Sequence, residues 1–113
     1  MLSKDNRLNK QKDFDGIFKQ GQAKQDDFLV VKAKPNQQNI SRFGLIVSSR
    51  VSKKAVVRNL IRRRLSEIIR LNLDKIKTGA DIVLVAKPGS SKAEYKDLEK
   101  RILNLLKKLN LYV

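Results

Sequence analysis

The 113-residue sequence contains no cysteine and no histidine. That removes disulfide staples, the commonest zinc ligands and both familiar nucleophile–base pairs. A hydrolase built on this chain would need paired carboxylates holding a metal. The acids are instead scattered among basic neighbours, and Asp26-Asp27 has no partner legible in the sequence. Absence of cysteine fits a reducing cytosol. No apolar run approaches the roughly 18 residues that cross a bilayer. The opening residues, MLSKDNRLNKQKDF, lack the apolar stretch of a secretion signal. Tryptophan is also missing, and a basic segment that binds a membrane surface usually exposes Trp or Phe. The expectation is a soluble, cytoplasmic protein with no membrane partner.

What the chain has in excess is positive charge: 26 Lys and Arg against 11 Asp and Glu, a formal net charge of +15. Repulsion on that scale opposes a compact chain unless a polyanion screens it. Nucleic acid is the fitting partner, because phosphate contacts release condensed counterions and so drive binding. The charge is also segregated. From Phe28 through Ser66 there is no acid, while Lys32, Lys34, Arg42, Arg50, Lys53 and Lys54, then Arg58, Arg62, Arg63 and Arg64, fall in that stretch. A solvated helix would interleave both signs.

With 41% hydrophobic residues, no repeat and no linker, the chain reads as one domain, residues 1–113. A first helix is expected from about Lys10 to Gln20, with Phe14, Ile17 and Phe18 at i, i+3, i+4 and Gly21 at the C-cap. FLVVKAK (Phe28–Lys34) reads as a strand ended by Pro35-Asn36. Along it Phe28, Val30, Lys32 and Lys34 should share one face, Leu29, Val31 and Ala33 the other. FGLIVS (Phe43–Ser48) reads as a second strand, expected to pair antiparallel with the first. A long helix should run from Ser52 or Lys53 to about Leu73. After Gly79, Asp81–Ala86 is a short apolar strand ended by Lys87-Pro88-Gly89. Ser91 and Glu94 make a capping-box pattern before a last helix bearing Tyr95, Leu98, Ile102, Leu105, Leu106 and Leu109. The order α-β-β-α-β-α implies an α/β (α+β) two-layer sandwich with a sheet of three strands or slightly more.

In the long helix, Val57, Leu60, Ile61, Leu65, Ile68 and Ile69 share one arc, and Asn59, Arg62, Arg63, Ser66 and Arg70 the opposite one. Arg58 falls at the flank. Arg64 should lay its stem along the core edge with its head in water. Guanidinium forks suit phosphate oxygens and base edges, and an Asn among them can meet a 2′-hydroxyl or fix a neighbouring Arg.

The run Ala55-Val56-Val57-Arg58-Asn59-Leu60-Ile61-Arg62-Arg63 resembles the signature of the bacterial ribonuclease P protein family, in which an Ala is followed after two residues by Arg-Asn and, two further on, by a basic pair. The likeness extends over RLNKQKDFDGIFKQG (Arg7–Gly21), RFGLIVSSRVSKKAVVRN (Arg42–Asn59) and DIVLVAKPG (Asp81–Gly89), essentially the whole chain. It implies a small mixed sheet with a left-handed βαβ crossover. It implies a role as the protein subunit of ribonuclease P, which binds the catalytic RNA and the 5′ leader of precursor tRNA and assists endonucleolytic removal of that leader. Contact with the catalytic RNA would fall to Arg58, Asn59, Arg62 and Arg63, with Arg50, Lys53 and Lys54 in the basic loop before them. The leader would lie in a cleft formed by Phe14, Phe18, Phe28 and Lys87. No catalytic residue and no protein-held metal is expected in this chain. Mg2+ would come with the RNA, and no protein partner is required. Leu60 and Ser49 stand where the family often has basic residues, which weakens a role for those two positions.

Phe14 and Phe18 at this spacing also fit an ordinary core, and Lys87 a solvated strand-end charge. Two other functions share the charge pattern. A ribosomal-type RNA-binding protein would explain the basic helix but not the full run of matching segments. A DNA-binding regulator would need a short helix and tight turn before the recognition helix, and none is evident.

Overall fold

The apolar run Asp81–Ala86 has too few polar residues to face water on either side, so it belongs at the centre of a sheet covered on both faces. The computed structural model, which describes residues 2–112, places it there. Strand β4 (Ala80–Ala86) is buried at every residue but one. It lies between β2 (Leu29–Pro35), its antiparallel neighbour, and β3 (Arg42–Ile46), its parallel neighbour; β1 (Gln22–Gln25) pairs antiparallel with the other side of β2.

Two expectations change here. The strands at Phe28–Lys34 and Phe43–Ser48 do not pair with each other, because β4 separates them. The most apolar strand takes the site with two hydrogen-bonded edges and two covered faces, and the two strands carrying lysine and arginine flank it. The second change is an addition. The fully exposed strand QAKQ (β1) has no hydrophobic alternation and is held by its backbone ladder to β2. Gly21 is the C-cap of α1 (Gln11–Gln20), its N–H bonded to Ile17 O at 2.8 Å, but its backbone is extended rather than left-handed. The chain therefore passes straight from α1 into β1, and a Cβ on Gly21 would sit 3.1 Å from Ala33 O.

Helices α2 (Ala55–Leu71) and α3 (Tyr95–Lys108) cover one sheet face. Ile61, Leu65, Ile68 and Ile69 of α2 and Leu98, Ile102, Leu105 and Leu106 of α3 join Leu29, Val31, Ile82 and Leu84 in the main core. The arc read from the sequence holds for α2 with one exception. Leu60 is 42% exposed, beside the exposed Val56 one turn earlier. The Ser91–Glu94 capping box does not form. Pro88–Lys92 is a 3₁₀ turn, Ser91 Oγ donates to Pro88 O, and Glu94 stands at the N-cap of α3 without a side-chain cap.

Helix α1 lies on the opposite face and covers only part of it. Ile17 packs with Leu8 and Val83 there, and Phe14, Ile46 and Val85 lie against them half-buried. Three rows cross the sheet on that side: Val30–Val85–Ile46, Lys32–Val83–Gly44 and Lys34–Asp81–Arg42. In the last row Arg42 donates to Asp81 from Nε (2.9 Å) and Nη2 (2.7 Å), and Asn36 Nδ2 donates to the same carboxylate at 2.9 Å. Arg42 also reaches Asp13 of α1 at 3.7 Å. The bidentate bond to Asp81 raises the Arg42 pKa above its ordinary value. This network ties α1, β3, β4 and the β2–β3 loop together.

Candidate nucleic-acid interface

The seven residues named for RNA contact fall on one continuous piece of chain, the β3–α2 loop and the first half of α2. Val51 is buried and anchors the loop, while Arg50, Lys53 and Lys54 are exposed around it. Serine hydroxyls shape the turns: Ser48 Oγ accepts from Arg50 N at 3.3 Å, and Ser52 Oγ from Lys54 N at 3.1 Å. Arg58 folds back so that Nη1 donates to Ser52 O at 2.9 Å. Asn59 Oδ1 accepts from Arg62 Nη1 at 2.6 Å, which aims that guanidinium along the helix and leaves the Asn59 amide N–H groups outward. Arg63 Nε reaches Asn59 O at 3.5 Å.

None of these cations is in an ion pair among the described residues. Arg42, Arg70 and Arg101 are, with Asp13 and Asp81, with Glu67, and with Asp26 and Asp97 respectively. The first turn of α2 holds no acid and its N-cap is Lys54. Helix N-termini carry partial positive charge and ordinarily attract carboxylates. Lys53, Lys54 and Arg58 at that end raise the local potential, an arrangement that costs stability until an anion arrives.

The proposed leader cleft is divided by the structure. Phe14 and Phe18 stand on α1 beside the uncovered row Val30–Val85–Ile46. Phe18 is 40% exposed, with Lys32 Nζ 5.2 Å from its ring centroid and 3.4 Å from its carbonyl oxygen. Phe14 lies over Gly44, where its ring occupies the space of a side chain. Phe28 does not share this face, contrary to the alternation read from the sequence. It precedes β2 and packs against the main core, with the Arg101 guanidinium 3.9 Å from its ring centroid and Gly89 close against its edge. The turn is set by Asp26, whose Oδ1 accepts from Phe28 N (2.8 Å) and Leu29 N (3.0 Å) and so rotates the chain out of strand geometry. Lys87 is beside Phe28 rather than beside α1. Its backbone N–H donates to Phe28 O and its Nζ to Asp26 O, both at 2.8 Å. Phe14 and Phe18 are thus brought together, Phe28 and Lys87 form a second pair, and Lys32, whose place on the α1 face was legible, joins the first.

Two contributors escaped the sequence reading. The N-terminal segment runs alongside β3, where Arg7 bridges to Phe43 in parallel and Leu8 N donates to Phe43 O at 2.9 Å. This brings Arg7 beside Asn59, Arg62 and Arg63 around one half-open cavity. The isolated apolar residues Leu2 and Leu8, both buried, were the available signal. Glu67 lines the same cavity; its bond to Arg70 holds its carboxyl below the usual range.

Among the described residues no group of three or more carboxylates is placed to hold a metal ion. Asp13 and Asp81, which flank the α1 face, are both spanned by Arg42. Arg42 thus neutralises both carboxylates on that side of the sheet. Among the described residues no helix is long and apolar enough to cross a membrane. The exposed arginines and lysines of the β3–α2 loop and α2 offer donors suited to phosphate oxygens and base edges.

The ribonuclease P family profile matches residues 2–110. The ribonuclease P protein component of Clostridium botulinum strain 657 is 41% identical over 110 residues, covering 96% of this chain and 98% of the relative. That of Clostridioides difficile strain 630 is 40% identical over 107 residues, covering 94% and 93%. Among solved structures, the Staphylococcus aureus RNase P protein superposes with a TM-score of 0.87 at 25% identity over 96% of this chain and 98% of that one. The Thermotoga maritima protein does so with 0.83 at 34% identity over 90% and 96%. A profile match from end to end, relatives of equal length and a shared fold agree with the arginine-rich helix, and the chain belongs to the ribonuclease P protein family, the protein component of a tRNA-processing endoribonuclease that works with ribonuclease P RNA.

Proposed function

We propose that Arg50, Lys53, Lys54, Arg58, Asn59, Arg62 and Arg63 dock the protein on the catalytic RNA. The 5′ leader of precursor tRNA then lies in the trough between α1 and the sheet. One observation carries this reading: among the described residues the cations from Arg50 to Arg63 have no carboxylate partner, although three arginines elsewhere are neutralised within the chain. In the trough, Val30, Val85 and Ile46 form an apolar floor, Phe18 offers a ring for stacking, and Lys32 stands over that ring to meet backbone phosphate. Phe14 is the wall that shapes the trough. Phe28 and Lys87 are engaged with Arg101 and Asp26 and stand apart from its stacking surface.

The reaction adds one water across a phosphodiester, leaving a 5′-phosphate on the tRNA and a 3′-hydroxyl on the leader. Mg2+ belongs with the RNA in this reading, and the protein's share is electrostatic and geometric. By offsetting phosphate repulsion it lowers the Mg2+ the RNA requires. It acts in the cytoplasm and needs no further protein. Membership of the family leaves no need for the ribosomal-type or DNA-regulator alternatives.

Reconstitution tests this. Added to a bacterial ribonuclease P RNA at low Mg2+, the protein should switch on 5′-leader cleavage, and alone it should cleave nothing at any Mg2+. Failure to stimulate the RNA, or cleavage by the isolated protein, would overturn the proposal.

A further inference from the structure

The cavity between the N-terminal segment and α2 combines a basic rim with an apolar floor. Phe43 and Leu45 rise from edge strand β3, and Leu2 and Leu8 close one side. Leu45 is only half-buried although it points into the same face as Phe43 and Val47, because the space above it, about 690 Å³, is open. That volume lies in the range of small-ligand sites, roughly 300 to 1,000 Å³. The rim is polar: Arg7 on one side, Asn59, Arg62 and Arg63 on the other, and Glu67 at the end.

The wall opposite α2 is held in place rather than loosely apposed. Leu2 N donates to Ser66 Oγ at 3.4 Å, Asn6 Nδ2 donates to Ser41 O at 2.9 Å, and Leu8 N donates to Phe43 O at 2.9 Å.

We infer that this cavity receives one unstacked base of the ribonuclease P RNA, its ring on Leu45 above the buried Phe43 and its flanking phosphates on Arg7, Arg62 and Arg63. The inference rests on the RNA-docking reading above and deepens it. Charge complementarity selects the occupant, since three arginines around an apolar slot match a nucleotide and not an apolar peptide or an acyl chain. The Asn59 Oδ1 is taken by Arg62, so the Asn59 amide N–H groups remain to donate to the base edge or a 2′-hydroxyl. Glu67 supplies an acceptor, which favours a base bearing an exocyclic amine over uracil.

Filling the cavity without altering charge tests the idea. Leu45→Phe fills it from the sheet and Ser66→Leu from α2, and thermal melting identifies which variant keeps the wild-type fold. A folded variant should bind the RNA at least about tenfold more weakly, the scale of one lost base contact. The slope of log affinity against log salt should stay unchanged, because no phosphate contact is removed. Chemical probing of the RNA should show one protected nucleotide losing its protection. Affinity within twofold of wild type in a folded variant would overturn the base pocket while leaving the docking surface standing. If Arg58→Ala and Arg62→Ala also leave affinity and slope untouched, the docking reading itself fails.

Discussion

Phe14 of α1 lies directly over Gly44 of β3, and a Cβ built on Gly44 would stand 2.6 Å from Phe14 Cζ. The missing side chain lets α1 settle onto the sheet at this end, so the helix and the uncovered row beside it enclose a trough. Gly44→Ala should therefore cost about 1–3 kcal/mol, the range for an overpacked site. Calorimetry should show a lower Tm. Combining it with Phe14→Ala should cost less than the two changes added together, because the clash is between these two residues.

Phe18 and Phe14 should separate on mutation. Phe18 is 40% exposed, so Phe18→Ala should change stability by no more than roughly 0.5 kcal/mol. Its loss should fall on leader recognition, weakening affinity for leader-bearing precursor about fivefold or more relative to mature tRNA, as loss of one stacked base would. Equal weakening for both tRNAs would remove Phe18 from the leader site. Phe14→Ala should lower leader affinity too, but with a clear drop in Tm.

Arg58→Ala and Arg62→Ala should each reduce the slope of log affinity against log salt by about one, the signature of one lost phosphate contact. Filter binding to the catalytic RNA across a salt series measures this. A slope that does not move in the double variant would argue against α2 as the RNA face.

Asp81 accepts three hydrogen bonds, two from Arg42 and one from Asn36, and it is 8% exposed. Asp81→Ala would strand both donors, at a cost of roughly 2–4 kcal/mol. Urea denaturation should show a lower midpoint. At a temperature where the variant is folded, its affinity for the catalytic RNA should be close to wild type, since the network lies away from α2.

An excess of positive charge concentrated around the start of α2 should make the free protein sensitive to anions. Sulfate, compared with chloride at equal ionic strength, should raise the Tm, because a ligand that binds only the folded state stabilises it. Circular dichroism melts would show this. The gain should shrink when Arg58 and Arg62 are both replaced by Ala, and an identical gain would place the anion elsewhere.

Much of the molecule was written in local pattern. The apolar arc of α2, the alternation of β2 from Leu29 to Ala33, the unbroken run of β4 and the acid-free stretch each depend on spacing along a few turns or residues. Side-chain direction within one helix or strand follows from backbone geometry alone, so the sequence by itself determined which cations would lie opposite the core. Leu60 shows the margin of such reasoning: it sits on the apolar arc by angle, yet it is 42% exposed while its neighbours Val57 and Ile61 pack on the core.

Tertiary structure decided what local spacing cannot carry. Strand order is a competition among all strands for the one central place, won by β4, and that inserted it between two segments close in sequence. Asp26 turned Phe28 away from Phe14 and Phe18 and gave it to Arg101. The N-terminal segment came to rest on the edge of β3 and carried Arg7 to the arginines of α2. Each outcome depends on contacts between residues far apart in the chain, whose free energies are set by burial and by hydrogen bonds that exist only after the sheet has assembled.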